Sequence, residues 1–219
     1  NANQAGNTDY HAAAEVQQTI TIGKGSQTIS FTSTASSPTV GTTYVPTATA
    51  TSGLSVIFTV DASSSSVCSL SSGTVTFDAA GSCVLNANQA GNANYNAAAE
   101  VQQTITVGKG SQTISFTSTA SSPTVGTTYI PTATATSGLS VTFTVDASSS
   151  SVCSLSGGTV TFDSAGSCVL NADQAGNTDY HAAAQVQQTI TVGKGSQTIS
   201  FTSTASSPTV GTTYIPTAT

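Results

Sequence analysis

The sequence predicts an all-β chain: a tandem array of antiparallel β-sandwiches built on an 85-residue repeat. Three observations predict it. The block Gly23-Lys24-Gly25-Ser26-Gln27-Thr28-Ile29-Ser30-Phe31 recurs from Gly108 and again from Gly193, a step of 85 residues each time, and a fixed internal period marks an array of one structural unit. Within each period, apolar and polar residues alternate with period two, the signature of half-buried strands. Turn residues interrupt the alternation every eight to twelve residues or so, the spacing of a sandwich.

In the first complete repeat the alternation resolves into short strands separated by turns. Residues 27–32 put Ile29 and Phe31 on one face. Ser37-Pro38 and Gly41 punctuate. Residues 43–51 alternate through Ala48 and Ala50, with threonines on the opposite face, and Ser52-Gly53 turns the chain. Residues 55–60 group Val56, Phe58 and Val60, leaving Ile57, which is Thr142 in the next copy, on the solvated face. The polar tract 63–66 is a loop. Residues 67–70 align Cys68 with Leu70, and Ser71-Ser72-Gly73 is a turn. Residues 74–77 align Val75 with Phe77, and Gly81 turns again. Residues 82–87 align Cys83, Leu85 and Ala87. An Asn/Gly-rich loop occupies 86–94, and residues 100–107 align Val101, Ile105 and Val107. About seven short strands result, as expected of an Ig-like sandwich. The one weak helical stretch, 97–101, is too short to stand alone.

The expected organisation is therefore residues 1–22 as the C-terminal part of a preceding repeat, 23–107 and 108–192 as complete repeats, and 193–219 as the N-terminal part of a following one. The part matching residues 50–85 is missing from both ends, so the chain reads as a window from a longer array. The complete copies differ at nine positions: 45, 57, 72, 79, 88, 93, 94, 96 and 100. The steps Gly23-Lys24-Gly25, Gly108-Lys109-Gly110 and Gly193-Lys194-Gly195 read as inter-domain linkers of about three residues, short enough that successive sandwiches stack end to end.

Composition excludes several function classes. Charged residues make up 5% of the chain, with three lysines, no arginine and a net charge of -6. This excludes a basic footprint for nucleic acid or anionic lipid. No run reaches the roughly 18 apolar residues of a membrane span. No Asn-x-Ser/Thr site occurs.

The four cysteines recur once per pair and period. Cys68 and Cys83, like Cys153 and Cys168, fall in phase with inward residues and lie 15 apart. Zinc needs four ligands, and the two histidines, His11 and His181, are replaced by Asn96 in the middle copy. A nucleophilic thiol needs a nearby base. The reading is a disulfide within each repeat, Cys68–Cys83 and Cys153–Cys168, in preference to bridges between repeats. An even, periodic cysteine usage points to an oxidising extracellular setting.

Other candidates resolve to structural roles. A glycine-flanked lysine such as Lys24 is a solvated linker charge rather than a cross-linking nucleophile. Asp9, Asp61, Asp78 and Asp179 are too scattered for the six to eight oxygens calcium wants, and read as turn caps. The threonines of residues 47–51 read as the solvent face of a strand rather than an ice-ordering ladder. Tyr95 closes the end of the sandwich rather than stacking on a ligand. With no Ser-His-Asp set shared by the copies, no phosphate loop and no cofactor motif, the chain reads as non-enzymatic.

The order of blocks carries a family resemblance. Gly-Lys-Gly-Ser-Gln-Thr-Ile-Ser-Phe from Gly23, Pro-Thr-Val-Gly-Thr-Thr-Tyr from Pro38, Ala-Thr-Ala-Thr-Ser-Gly-Leu-Ser-Val from Ala48, Val-Cys-Ser-Leu from Val67, Gly-Thr-Val-Thr-Phe from Gly73, Ala-Gly-Ser-Cys from Ala80 and Asn-Gln-Ala-Gly-Asn-Ala-Asn-Tyr from Asn88 resemble the bacterial Ig-like tandem repeats of large secreted and cell-surface, adhesin-like proteins. The resemblance covers the whole chain and implies a stalk, spacer or matrix fibre. The expectation is a structural repeat of a long extracellular bacterial protein, either a stiff stalk or a filament that self-associates laterally or end to end through identical repeats. The alternative is an adhesin or carbohydrate-binding repeat contacting a glycan or host-surface ligand through Tyr44 or Tyr95.

Overall fold

The computed structural model describes all residues from Asn1 to Thr219. The chain forms two compact units, Asn1–Gly110 and Ser111–Thr219, and each is all-β. Unit 1 contains β1 (Ile29–Phe31), β2 (Thr43–Tyr44), β3 (Ala48–Ala50), β4 (Ile57–Val60), β5 (Cys68–Ser71), β6 (Thr74–Phe77), β7 (Gly81–Asn88) and β8 (Val101–Val107). Unit 2 repeats the series as β9 (Ile114–Phe116), β10 (Thr128–Tyr129), β11 (Ala133–Ala135), β12 (Thr142–Val145), β13 (Cys153–Ser156), β14 (Thr159–Phe162), β15 (Gly166–Asp173) and β16 (Val186–Val192).

In unit 1 the sheets run β2-β6-β5 and β4-β7-β8, with β1 paired to β3. Every pairing is antiparallel; Ile29 sits opposite Ala50, Cys68 opposite Phe77, and Cys83 opposite Ile105. The registers recur in unit 2, where Ile114 faces Ala135 and Cys168 faces Ile190.

The long run at residues 43–51 is two strands, not the single one its alternation suggests. Thr43–Tyr44 pairs with β6, whereas Ala48–Ala50 pairs with β1. The break falls at Val45-Pro46, where proline has no N–H to continue a ladder, and Pro46 itself is buried. The predicted loop at 63–66 begins inside a 3₁₀ turn, Ala62–Ser64. Asp61 caps that turn, its carboxylate accepting the Ser63 amide at 3.0 Å.

The β5–β6 hairpin turns on Ser72 and Gly73, with φ of 48° and 79°. Two consecutive positive φ values make the two-residue loop whose twist matches the flanking strands. Unit 2 places Gly157 and Gly158 there.

The core between the two three-stranded sheets consists of Cys68, Val75, Phe77, Cys83, Leu85, Ile105 and Val107, none more than 5% exposed. A second cluster of Ile29, Ala50 and Ala87 packs against Phe31 and Phe58, whose ring centroids lie 5.7 Å apart. Residues 1–22 are exposed throughout. There Ile20 and Ile22 are 76% and 90% exposed, whereas the equivalent Ile105 and Val107 are 5% and 3%. Nearly the same stretch, with Val107 in place of Ile22, is buried where β7 runs beside it.

Candidate functional site

The cysteines join the two sheets of each unit. Cys68 ends its Sγ on that of Cys83 at 2.04 Å with Cα atoms 5.8 Å apart, and Cys153 meets Cys168 at 2.01 Å and 5.8 Å. Cys68 lies on β5 and Cys83 on β7, so the bridge crosses the core from one layer to the other. No cysteine is free. No group of three or more His, Cys, Asp or Glu side chains is placed to hold a metal ion, and no helix is long and apolar enough to cross a membrane.

Three glycines of the Gly-Lys-Gly steps, Gly25, Gly108 and Gly193, are tied into their units by backbone hydrogen bonds. Gly25 donates its amide to Asn94 O at 2.8 Å and accepts that of Asn96 at 2.9 Å. Gly108 donates to Pro38 O at 2.9 Å and accepts from Val40 at 3.1 Å. Gly193 repeats the latter contact with Pro123 and Val125 at 2.8 and 3.1 Å. Gly23, Lys24, Lys109, Lys194 and Gly195 are exposed and Gly110 is buried. The Tyr95 ring stands beside Gly25, where a Cβ would be 3.2 Å from two ring carbons. Its loop is held by Asn92 Oδ1, which accepts the amides of Asn94 and Tyr95 at 2.8 and 2.9 Å. Tyr44 is also engaged: its hydroxyl bonds Ser33 Oγ at 2.7 Å and donates to Gln103 Oε1 at 3.2 Å. Both tyrosines are half-buried.

Two polar networks matter to the scaffold. Asp61 accepts from the Ser63 hydroxyl at 2.6 Å and from Asn86 Nδ2 at 3.3 Å. The Ser63 hydroxyl first, then the Ser63 amide and Asn86, hold its carboxyl below the usual carboxylate range, and Asp146 is lowered in the same way by Ser148 and Asn171. The second network centres on Gln27, 7% exposed. Its Nε2 donates to Gln89 Oε1 at 2.7 Å and Asn96 O at 2.6 Å, and its Oε1 accepts from Ser52 Oγ. This anchor of the Asn/Gly-rich loop escapes a reading of motifs, but its signal is present: Gln27 alternates in phase with the inward Ile29 and Phe31. No buried side-chain nitrogen or oxygen lacks a partner.

A concave feature that recurs in both units is a groove of about 390 Å³ between residues 34–38 and residues 103–106, matched by one of about 330 Å³ between residues 119–123 and 188–191. Its cause is local. Gly108 directs its amide and carbonyl at residues 38–40. Alternation along β8 turns the backbone of Thr106 and Thr104 the same way, and turns Val107, Ile105 and Gln103 toward β7. To continue the parallel contact, residue 38 would have to donate to Thr106 O, and Pro38 has no N–H. Ser37 adopts φ 44°, as does Ser122, which swings the chain away from the strand. The far end of the groove is closed by Gln103 Nε2, donating to Ser33 O at 2.8 Å. The result is a short strand edge offering two N–H and two C=O groups, walled by hydroxyl, methyl and proline side chains with no charge.

No protein-family model matches the chain, and no curated protein does. Among solved structures it is similar to human protocadherin-24 EC1-2, at 13% identity over 72% of this chain and 90% of that one, TM-score 0.30. It is similar to Sidekick-1 immunoglobulin domains 1-5, at 14% identity over 80% of this chain, TM-score 0.35, and to the S-layer protein rSbsC(31-844), at 14% over 82%, TM-score 0.33. The chain spans 40% and 30% of the length of the last two. The fold rests on the strand pairing itself, which makes the chain a tandem of Ig-like antiparallel β-sandwiches.

Proposed function

We propose that this chain is a non-enzymatic structural repeat of an extracellular bacterial protein, building a stalk or a self-assembling surface fibre by reiterating one disulfide-stapled sandwich. The observation that carries the reading is where the two copies differ. None of the nine positions is buried in either copy. The core, the bridges and the groove are all repeated, while positions outside the core vary, as with Asn96 against His181. What is retained is a building unit. Two buried disulfides fit an oxidising location outside the cell.

The test is negative-stain electron microscopy of the oxidised chain over a range of concentrations. Filaments of constant width would establish self-assembly as the repeat's own property. Isolated rods at every concentration would establish a passive stalk. Turnover of any substrate by the purified chain, or glycan binding lost on Tyr95→Ala and Tyr180→Ala, would overturn the structural reading.

A further inference from the structure

We propose that the open edge of β8 at Thr104 and Thr106, with its copy at Thr189 and Thr191, is a strand-docking site for an extended, uncharged segment of a second copy of this chain, the threonine-alanine strand at residues 47–51. The inference rests on the self-assembly reading and says where it acts.

Three observations carry it. First, the edge is open by construction in both units. Pro38 and Pro123 cannot donate, Ser37 and Ser122 both turn at φ 44°, and Gln103 and Gln188 each hold the far end by donating to Ser33 O and Ser118 O at 2.8 Å. An edge with free N–H and C=O groups takes an added strand. Second, the groove selects against charge. Residues 34–38 and 103–106 include no ionisable side chain, so a charged strand entering it would lose water without gaining a partner. The chain supplies a matching occupant, since no charged residue lies between Gly25 and Val60. Third, the segment 47–51 is a strand with one edge in use. Ala48–Ala50 pairs only with β1. Its alternating Thr and Ala side chains are small, and Thr47, Thr49 and Thr51 are exposed. Neither edge carries the lysine or inward charge by which sheet edges are protected from pairing.

The test is amide hydrogen exchange at Thr104, Thr106, Thr189 and Thr191 in the oxidised 219-residue chain, read against concentration and against the acetylated peptide Pro-Thr-Ala-Thr-Ala-Thr-Ser. When nine-tenths of the sites are filled, exchange at these amides should slow about tenfold, because only the free fraction exchanges. The paired variant Thr104→Pro/Thr189→Pro removes an outward amide from each copy without touching a bond to β7 or β15. The variant Thr106→Lys/Thr191→Lys keeps the backbone and adds an edge charge, so it reports if the proline variant fails to fold. Loss of both protection and association in the folded variants supports the site. Undiminished association in the folded variants overturns the site and leaves self-assembly standing. A chain that stays monomeric but is protected by the peptide keeps the site and removes the self-assembly reading. Monomer with no protection by peptide overturns both.

Discussion

The pair at positions 88 and 100 predicts a compensated exchange. In the first copy Asn88 Nδ2 donates to Glu100 Oε2 at 2.7 Å. In the second the roles are reversed: Gln185 Nε2 donates to the two oxygens of Asp173 at 2.9 and 3.0 Å. Two of the nine differences thus change together and keep one carboxylate and one amide. Ala87 pairs with Val101, so residues 88 and 100 are the next cross-strand pair, where side chains interact directly. Asn88→Asp alone sets two carboxylates opposite each other. Like charges about 4 Å apart in water repel by about 1 kcal/mol, and the lost exposed hydrogen bond adds about 0.5 kcal/mol. Glu100→Gln alone keeps an amide–amide bond and should cost about 0.5 kcal/mol. The double variant recreates the second copy's arrangement and should return to within about 0.3 kcal/mol of the parent. Calorimetry of the whole chain is the assay, with the unaltered second unit as internal reference. For a domain of this size Asn88→Asp should lower the first unit's Tm by about 6–12 °C, and the loss should shrink in 1 M salt. If the double variant is as unstable as the two singles summed, the cross-strand pair is not why these positions differ together.

Other outcomes follow from the same geometry. Replacing Cys68 and Cys83 with alanine opens a loop of sequence separation 15 and should destabilise unit 1 by about 3 kcal/mol, read by urea denaturation with and without reductant. Ser72→Gly relieves a non-glycine residue at φ 48°. The left-handed penalty outweighs glycine's extra unfolded-state freedom, so stability should rise by about 0.5–1 kcal/mol, seen as a raised urea midpoint. Asp61 and Asp146 have lowered folded pKa values, so their contribution is present above the unfolded carboxylate pKa and is lost as pH falls through the lowered one. Asp61→Asn with Asp146→Asn should therefore flatten the acid limb of the stability profile, and an unchanged limb would remove the cap's role.

Strand existence was legible wherever alternation and burial coincide, as at Val75 and Phe77 or Cys83, Leu85 and Ala87. The inward phase of the cysteines located them in the core, but their position on opposite sheets depends on which strands pair, and pairing is non-local. Alternation at residues 43–51 misled because it continues across Pro46, while the hydrogen bonds on either side go to different sheets. The 3₁₀ turn after Asp61 is one turn long, below the reach of periodicity. The groove was written in Ser37-Pro38 as punctuation. Its meaning needed the contact of Gly108 with residues 38–40, 70 residues away in the chain.

The bridge between β5 and β7 also sets how far a repeat can lengthen under tension. A chain pulled from its ends carries load through the Cys68–Cys83 bond and bypasses the β5–β6 hairpin. The enclosed stretch, of sequence separation 15, would otherwise pay out about 50 Å of contour at full extension. An oxidised unit that yields to force therefore stops short by that length, and the hairpin inside the bridge stays unloaded, positioned to template refolding when the pull is released. Reduction would convert each unit into a longer tether without altering a residue at its surface.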